Sequence, residues 1–171
     1  MPRMWLIVGC SLLALCLFCE LSSAQDTKVR VGVTPVRSSG GLTPAAGRDR
    51  LVKSLNKQKK SQVEAVTLEG DQASDEARQK NCAYVVGTTQ TDMQAGSDVE
   101  FGRTTTANIP KYKVAVEYKL YRVSDGTVVA SGSAKAEDTA SAQDVEGQAL
   151  DGVAKKVSVD IKNAAAAPAT K

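Results

Sequence analysis

The 171-residue chain carries 22 lysine and arginine residues against 19 aspartate and glutamate residues, and this mild net charge of +3 specifies no particular partner. It contains no histidine, which excludes Ser-His-Asp and Cys-His catalysis and every zinc site that needs imidazole. With one tryptophan, four tyrosines and two phenylalanines, the chain has few aromatic residues on which single-stranded nucleic acid could stack, so we expect no nucleic-acid partner.

An export signal opens the chain at residues 1–24. Arg3 precedes an apolar run that ends at Phe18, and small residues lead to a cleavage position between Ala24 and Gln25. The run of about 15 residues is shorter than the roughly 20 that a membrane-spanning helix needs. We therefore expect a protein exported to the periplasm or secreted, with no stable membrane insertion once the signal is removed.

Cysteine usage argues against a disulfide within the mature chain. Cys10, Cys16 and Cys19 leave with the signal, so Cys82 has no partner in the same chain. The residues around Cys10 resemble an acylation box, but cleavage there would leave too short an apolar core for a signal. An unpaired thiol in an oxidising compartment is usually buried and inert, so burial is expected for Cys82.

Strand and helix periodicities alternate in the first half of the mature chain. Val29, Val31 and Val33 alternate with polar residues, which is typical of a half-buried strand. A loop that includes Pro44 follows, then leucine and valine residues at helical spacing. Asp71 is placed to cap a polar helix, and the apolar run beyond it predicts a central strand covered on both faces. The predicted elements are strands at 28–36, 63–68 and 82–91 and helices at 48–57 and 72–80.

The second half predicts a loop, a long hairpin and a closing helix. Residues 92–110 are rich in Gly, Ser, Thr and Asp, which indicates a mobile, partner-facing loop. Asp125-Gly126 then predicts a tight hairpin turn in which both residues adopt positive φ. Apolar residues recurring every fourth position indicate a final amphipathic helix. The predicted elements are strands at 112–123 and 128–136 and a helix at 142–162.

This order of elements predicts an α/β fold of one domain at 25–163, followed by a disordered tail at 164–171. Alternating strands and helices followed by a hairpin favour a mixed β-sheet of about five strands, with a long antiparallel hairpin and about three helices packed on it. No internal repeat interrupts this single-domain organisation.

Three segments carry a resemblance to a known family. They are Val31-Gly32-Val33, the run from Asn81 to Gly87 (NCAYVVG), and the stretch from Tyr118 to Ser131 with its Ser-Asp-Gly-Thr turn. Their order and spacing resemble the periplasmic α/β domain of the curli-secretion lipoprotein CsgG and the penicillin-binding-protein activator LpoB. The resemblance implies a non-enzymatic envelope module that binds another protein, and it transfers no individual binding residue. Pore formation is not carried over, because residues 92–110 contain too few alternating apolar residues.

Three groups of residues are candidates for binding. Tyr121 and Arg122 on the hairpin belong to residue types enriched at interfaces, and Val99 with Phe101 are isolated apolar residues in the predicted loop. A lysine cluster near the end of the first helix is either a solvated helix end or a patch for an anionic polymer or lipid headgroups. The lysine cluster consists of Lys53, Lys57, Lys59 and Lys60.

The sequence predicts no cofactor, metal or catalytic residue. A glycine series of the phosphate-binding kind is absent, and no calcium-loop spacing occurs. Asp92, Asp98 and Glu100 are the carboxylates that glycoside chemistry would use, which leaves a hydrolase of envelope material as an alternative. The leading hypothesis is an exported non-enzymatic protein that binds or scaffolds another envelope protein. A subunit that self-associates through an edge strand into a homo-oligomer is the second.

Overall fold

A computed structural model describes residues 28–38, 41–58, 62–70, 74–101 and 106–166. Within these ranges a single sheet has the strand order β2-β1-β3-β4-β5, and helices accompany it. This architecture confirms the predicted α/β class with a mixed sheet. The elements are β1 (Val29–Val33), α1 (Pro44–Lys57), β2 (Val63–Thr67), α2 (Ser74–Gln79), β3 (Tyr84–Phe101), β4 (Thr106–Arg122), β5 (Val128–Asp138) and α3 (Ala142–Ala166).

Strand β3 lies at the centre of the sheet, as its continuous apolar run predicts. On one side β1 pairs in parallel with both β3 and β2, which is the product of the alternating first half of the chain. On the other side β4 pairs antiparallel with both β3 and β5, which is the product of the two hairpins. The sheet is therefore mixed because two kinds of connection meet at β3.

Helices α1 and α3 cover one face of the sheet and enclose the main core. The predicted stripe on α3 is buried along its whole length and packs with Leu51 of α1 against Val86 and Val116 of the central strands. Each buried valine, leucine or isoleucine side chain in this core stabilises the fold by about 1.5–3 kcal/mol through its removal from water. The stripe consists of Val145, Ala149, Val153, Val157 and Ile161.

Helix α2 packs on the opposite face, at one end of the sheet. Leu68, Ala77 and Cys82 form a second small core there, together with the half-buried Val85. Gly32 of β1 makes room for Leu68, because a β-carbon at position 32 would overlap the leucine side chain. Burial raises the pKa of the Cys82 thiol above its ordinary value.

Helix α1 begins earlier than the sequence analysis predicts. Thr43 is its N-cap, and the Thr43 Oγ1 accepts a hydrogen bond from the backbone N–H of Ala46 at 3.3 Å. Pro44, predicted to lie in a loop, is the first helical residue, where its fixed φ suits the helix and its missing N–H costs nothing. The predicted cap of α2, Asp71, lies outside the described residues.

The predicted loop at 92–110 is wrong, because β3 continues to Phe101 and β4 already begins at Thr106. A β-bulge between Gln90 and Asp92 shifts the register of the two strands. One extra residue reverses the inward and outward alternation, so that Met93 packs against the main core although the uninterrupted pattern would place it outside. The hairpin is therefore longer than its sequence pattern suggests.

The β4–β5 hairpin is confirmed, but its turn differs from the prediction. Only Gly126 of the predicted pair has positive φ, at 69°. Asp125 instead accepts hydrogen bonds from the backbone N–H and the hydroxyl of Thr127, at 3.0 and 2.7 Å. At the other end of the domain, α3 continues through Ala166, so its last turn includes the first residues of the predicted tail.

Candidate functional surface

The sheet face that α1 and α3 leave uncovered carries a cleft of about 690 Å³. We call this side of the sheet the open face. The cleft lies beyond the small core under α2, between the segment that follows β1, the end of α2 at Arg78 and the β4–β5 turn. Strands β3 and β4 form its floor, so backbone pairing holds the floor rigid while loops and α2 supply the rim.

Strand alternation decides which side chains face the cleft. On β3, Tyr84 and Val86 point into the main core, so the alternating residues Val85, Gly87 and Thr89 occupy the open face. Arg37 joins this face from outside the named strands through a parallel bridge to Thr89. The cross-strand pairs of the floor are Val85 with Tyr121, Gly87 with Lys119, and Thr89 with Glu117.

Gly87 gives the cleft its depth. A β-carbon at this position would stand 3.6 Å from Cε2 of Tyr121 and 3.9 Å from Oγ1 of Thr34. The Tyr121 ring thus lies beside the glycine, and it is half-buried. An aromatic ring at the floor of a polar cleft offers one apolar contact surface to a ligand.

Cations outnumber carboxylates around the cleft. Two of the cations already have partners: Arg122 pairs with Asp125 at 3.0 Å, and Arg78 pairs with Asp75 at 3.6 Å. Hydrogen bonds from Thr127 are the largest influence that lowers the pKa of the Asp125 carboxyl, so this acid stays charged beside Arg122. The charged residues that line the cleft are Arg37, Arg78, Lys119 and Arg122, with Glu117 and Asp125.

A second feature of the surface is a two-stranded extension of the sheet, which we call the β-arm and define as residues 96–101 and 106–111. Pairing of β4 with β5 ends at Tyr112 and Asp138, whereas pairing of β3 with β4 continues to Phe101 and Thr106. Among the described strands, those of the β-arm thus pair only with each other. At its base, Lys111 Nζ lies 2.7 Å from Glu137 Oε1 of β5.

Side chains from helices contact the two outer strands of the sheet. Asn56 of α1 pairs with the backbone of Ala65 on β2, donating to its carbonyl at 3.0 Å and accepting from its N–H at 2.8 Å. Lys156 of α3 donates from Nζ to the carbonyl of Ser133 on β5. Both contacts occupy backbone groups that another strand could otherwise use, which is how natural sheets protect their edges.

A buried polar cluster lies under the segment that precedes α1. The Glu146 carboxylate on α3 has 0% exposure, and its Oε2 accepts a hydrogen bond from the backbone N–H of Leu42 at 2.7 Å. Ser38 Oγ donates to Gln90 Oε1 at 2.5 Å. Within the described residues, Glu146 Oε1, Gln90 Nε2 and Thr88 Oγ1 have no hydrogen-bond partner. Burial raises the pKa of Glu146, although the Leu42 hydrogen bond opposes this.

The candidate residues from the sequence fall in separate places. Tyr121 and Arg122 both line the cleft, whereas Val99 and Phe101 are strand residues of the β-arm rather than loop residues. Lys53 and Lys57 are exposed on α1 and do not line the cleft. The remaining candidate positions lie outside the described residues, namely Lys59, Lys60, Ala24 and Gln25.

Three residues of these sites have no counterpart among the sequence candidates. Arg37 follows a strand, and only its tertiary bridge to Thr89 places it at the cleft. In the sequence, Lys119 is one of the polar residues that alternate with apolar residues along a predicted strand, and nothing local distinguishes it from the others. Glu146 does carry a sequence signal, because it interrupts the apolar side of α3 between Val145 and Ala149.

The described residues contain no group of three or more His, Cys, Asp or Glu side chains that could hold a metal ion. Asp98 and Glu100, weighed as hydrolase carboxylates, occupy β3 within the β-arm, and Asp92 follows the bulge. None of the helices in the described ranges combines the length and apolarity needed to cross a membrane.

Comparison with solved structures places this architecture among known folds. The PelC dodecamer from Paraburkholderia phytofirmans matches 74% of this chain and 85% of its own, with a TM-score of 0.56 and 17% identity. The two chains share a fold. The hypothetical protein CT253 from Chlamydia trachomatis matches 78% of this chain and 98% of its own, with a TM-score of 0.55 and 10% identity.

Comparison at the level of sequence does not assign the chain to a family. No protein-family model matches the chain, and no curated protein matches it either. At 17% and 10% identity the structural likenesses establish the fold alone, so a specific relation to CsgG or LpoB is not shown.

Proposed function

We propose that this chain is an exported, non-enzymatic scaffolding subunit of the cell envelope that assembles with copies of itself through the β-arm. The observation that carries the proposal is the pairing of the β-arm. Its two strands pair with each other alone among the described strands, so each presents an edge of backbone N–H and C=O groups. Such a ribbon is marginally stable in water and gains from pairing with another strand.

The outer edges of the sheet, on β2 and β5, are poorer sites for assembly. Asn56 already occupies the backbone of β2 at Ala65, and Lys156 occupies a carbonyl of β5 at Ser133. A second copy would have to displace these hydrogen bonds before it could pair there. The β-arm and the adjoining edge of β3 at residues 91–95, which pairs with no described strand on its β1 side, are therefore the part of the sheet where strand addition costs least.

Independent observations support the assembly and its location. PelC, whose fold this chain shares, is a dodecamer. The export signal at residues 1–24 supports a place outside the cytoplasm, and the resemblance to the CsgG and LpoB domain supports the envelope. A chain without histidine and with few aromatic residues is more suited to scaffolding than to hydrolysis of envelope polymers.

The proposal predicts the mass of the protein in solution. Light scattering after size-exclusion chromatography of residues 25–171 should give several times the mass of one chain. In the shortened variant, an Asn-Gly turn replaces residues 97–110 and joins Gly96 to Lys111, which are cross-strand partners. This variant should elute as a monomer, and circular dichroism should show that the remaining sheet and helices are retained.

A control tests the rest of the surface. Val128 and Val159 are exposed large apolar residues outside the β-arm, at 52% and 57% exposure. Their replacement by lysine should leave the mass unchanged, because neither contacts the β-arm edges. A monomeric natural chain would contradict the proposal. So would a lysine variant that dissociates while the shortened variant stays assembled.

A further inference from the structure

Two cations of the open-face cleft lack ion-pair partners among the described residues. Arg37 is exposed and lies beside Thr89 in the sheet. Lys119 is also exposed, and its cross-strand neighbours are Gly87 on β3 and Ser131 on β5. Because a glycine and a serine are too small to cover it, the ammonium group stays accessible from the cleft.

The spacing of these two cations suits more than one anionic group. The segment carrying Arg37 adjoins β3, and Lys119 lies on β4, so the two side chains originate two strands apart. That separation is roughly 10 Å across the sheet. One small anion would draw both long side chains together, whereas two acidic side chains on one extended segment meet the two cations without that convergence.

Glu117 sets the limit on what the cleft accepts. It lies on the same strand as Lys119 and is the cross-strand partner of Thr89, beside Arg37. Its negative charge repels a uniformly dense polyanion but leaves room for separate carboxylates on either side. Removing this charge should therefore strengthen binding of an acidic segment, which is the opposite of the effect expected at the two cations.

The shape of the cleft favours a peptide over other anionic partners. A planar lipid surface cannot follow a cleft whose rim is built by α2 and the β4–β5 turn. Saccharides bind on aromatic platforms, and here Tyr121 offers a single ring beside Gly87. A peptide can place carboxylates at the cations and one apolar side chain on that ring.

We propose that the open-face cleft binds an extended acidic peptide segment of a partner protein, with carboxylates held by Arg37 and Lys119 and an apolar side chain against Tyr121. The cleft does not include the β-arm, so this binding is independent of self-assembly. The cleft volume of about 690 Å³ accommodates a few residues. Affinity rests on two charge contacts and one ring, so it is moderate and weakens with salt.

Fluorescence anisotropy with a labelled glutamate-rich peptide that contains one leucine tests the proposal on the full mature protein. Arg37→Ala with Lys119→Ala should weaken binding by about tenfold, which corresponds to about 1.4 kcal/mol for the two charge contacts together. Glu117→Gln should tighten it severalfold. Lys53→Ala with Lys57→Ala removes the same charge from the exposed end of α1, and this matched control should leave affinity nearly unchanged.

Three outcomes would overturn the inference. If both double variants weakened the affinity equally, peptide binding would depend on the net charge of the protein rather than on the cleft. If Glu117→Gln left the affinity unchanged, the peptide would not be bound at the floor of the cleft. Tighter binding of anionic vesicles or of an oligouronate than of the peptide, lost in the Arg37 and Lys119 variant, would assign the cleft to a lipid or a saccharide instead.

Discussion

Replacing Glu146 with glutamine removes a buried charge while keeping the shape of the side chain. In the folded protein Oε2 accepts the Leu42 N–H at 2.7 Å, and Oε1 has no partner within the described residues. A glutamine carbonyl can keep the Leu42 hydrogen bond, and its amide group can donate to the nearby Ser38 hydroxyl. We therefore expect Glu146→Gln to raise the free energy of unfolding at neutral and alkaline pH.

The magnitude follows from the linkage between protonation and folding. Burial raises the pKa of Glu146, so the folded protein binds this proton more tightly than the unfolded chain does. The stability that the proton contributes is present below the unfolded-state pKa. It is lost by about 1.4 kcal/mol per pH unit as the pH rises to the folded-state pKa. The increase in the free energy of unfolding caused by Glu146→Gln should be near zero at about pH 4 and about 1–3 kcal/mol at about pH 8.

Urea unfolding followed by circular dichroism across this pH range measures the gain. Glu117→Gln, at an exposed position on the open face, is the matched control and should change the free energy of unfolding by no more than about 0.5 kcal/mol. A gain that is the same at acidic and alkaline pH would refute the linkage argument. A glutamine variant less stable than the natural protein at about pH 8 would show instead that the carboxylate is charged and well solvated or paired in the folded state.

Two further predictions concern the cores. Tyr118→Phe removes a hydroxyl that donates to Asp160 Oδ2 at 2.6 Å, so urea unfolding should show a loss of roughly 1–2 kcal/mol. Tyr112→Phe, with no such bond among the described residues, should show none, and equal losses would contradict the assignment. The buried Cys82 thiol, whose pKa is raised, should react with a disulfide reagent far more slowly in the folded protein than in urea; similar rates would show that it is accessible.

Elements that bury a regular stripe could be predicted from the sequence. The α3 stripe that begins at Val145 repeats every fourth residue and is buried throughout, and the unbroken run from Tyr84 identifies the central strand. The β-arm could not be predicted in this way. The bulge after Gln90 reverses the alternation, and the small polar residues beyond it have low strand propensity.

The positions of the cleft residues depend on contacts between parts of the chain that are distant in sequence. Arg37 meets Thr89 only because β3 folds beside β1, and no local pattern reports that pairing. Tyr121 and Arg122 were accessible to sequence reasoning because residue type alone makes them interface candidates. Residue type also singles out Lys53 and Lys57, which carry the same charge as the cleft cations but lie on α1 rather than in the sheet.

The two edges of the β-arm belong to different strands, and this has a consequence for symmetry. Where the β3 edge of one copy pairs with the β4 edge of the next, the contact is heterologous and every subunit uses both edges, whereas pairing of like edges would stop at a dimer. Heterologous contacts close into a ring when the rotation between neighbours divides a full turn, and otherwise continue as a filament. A subunit with one damaged edge can still join through its other edge but accepts no further neighbour. Small amounts of such a variant would therefore terminate assembly of the natural protein.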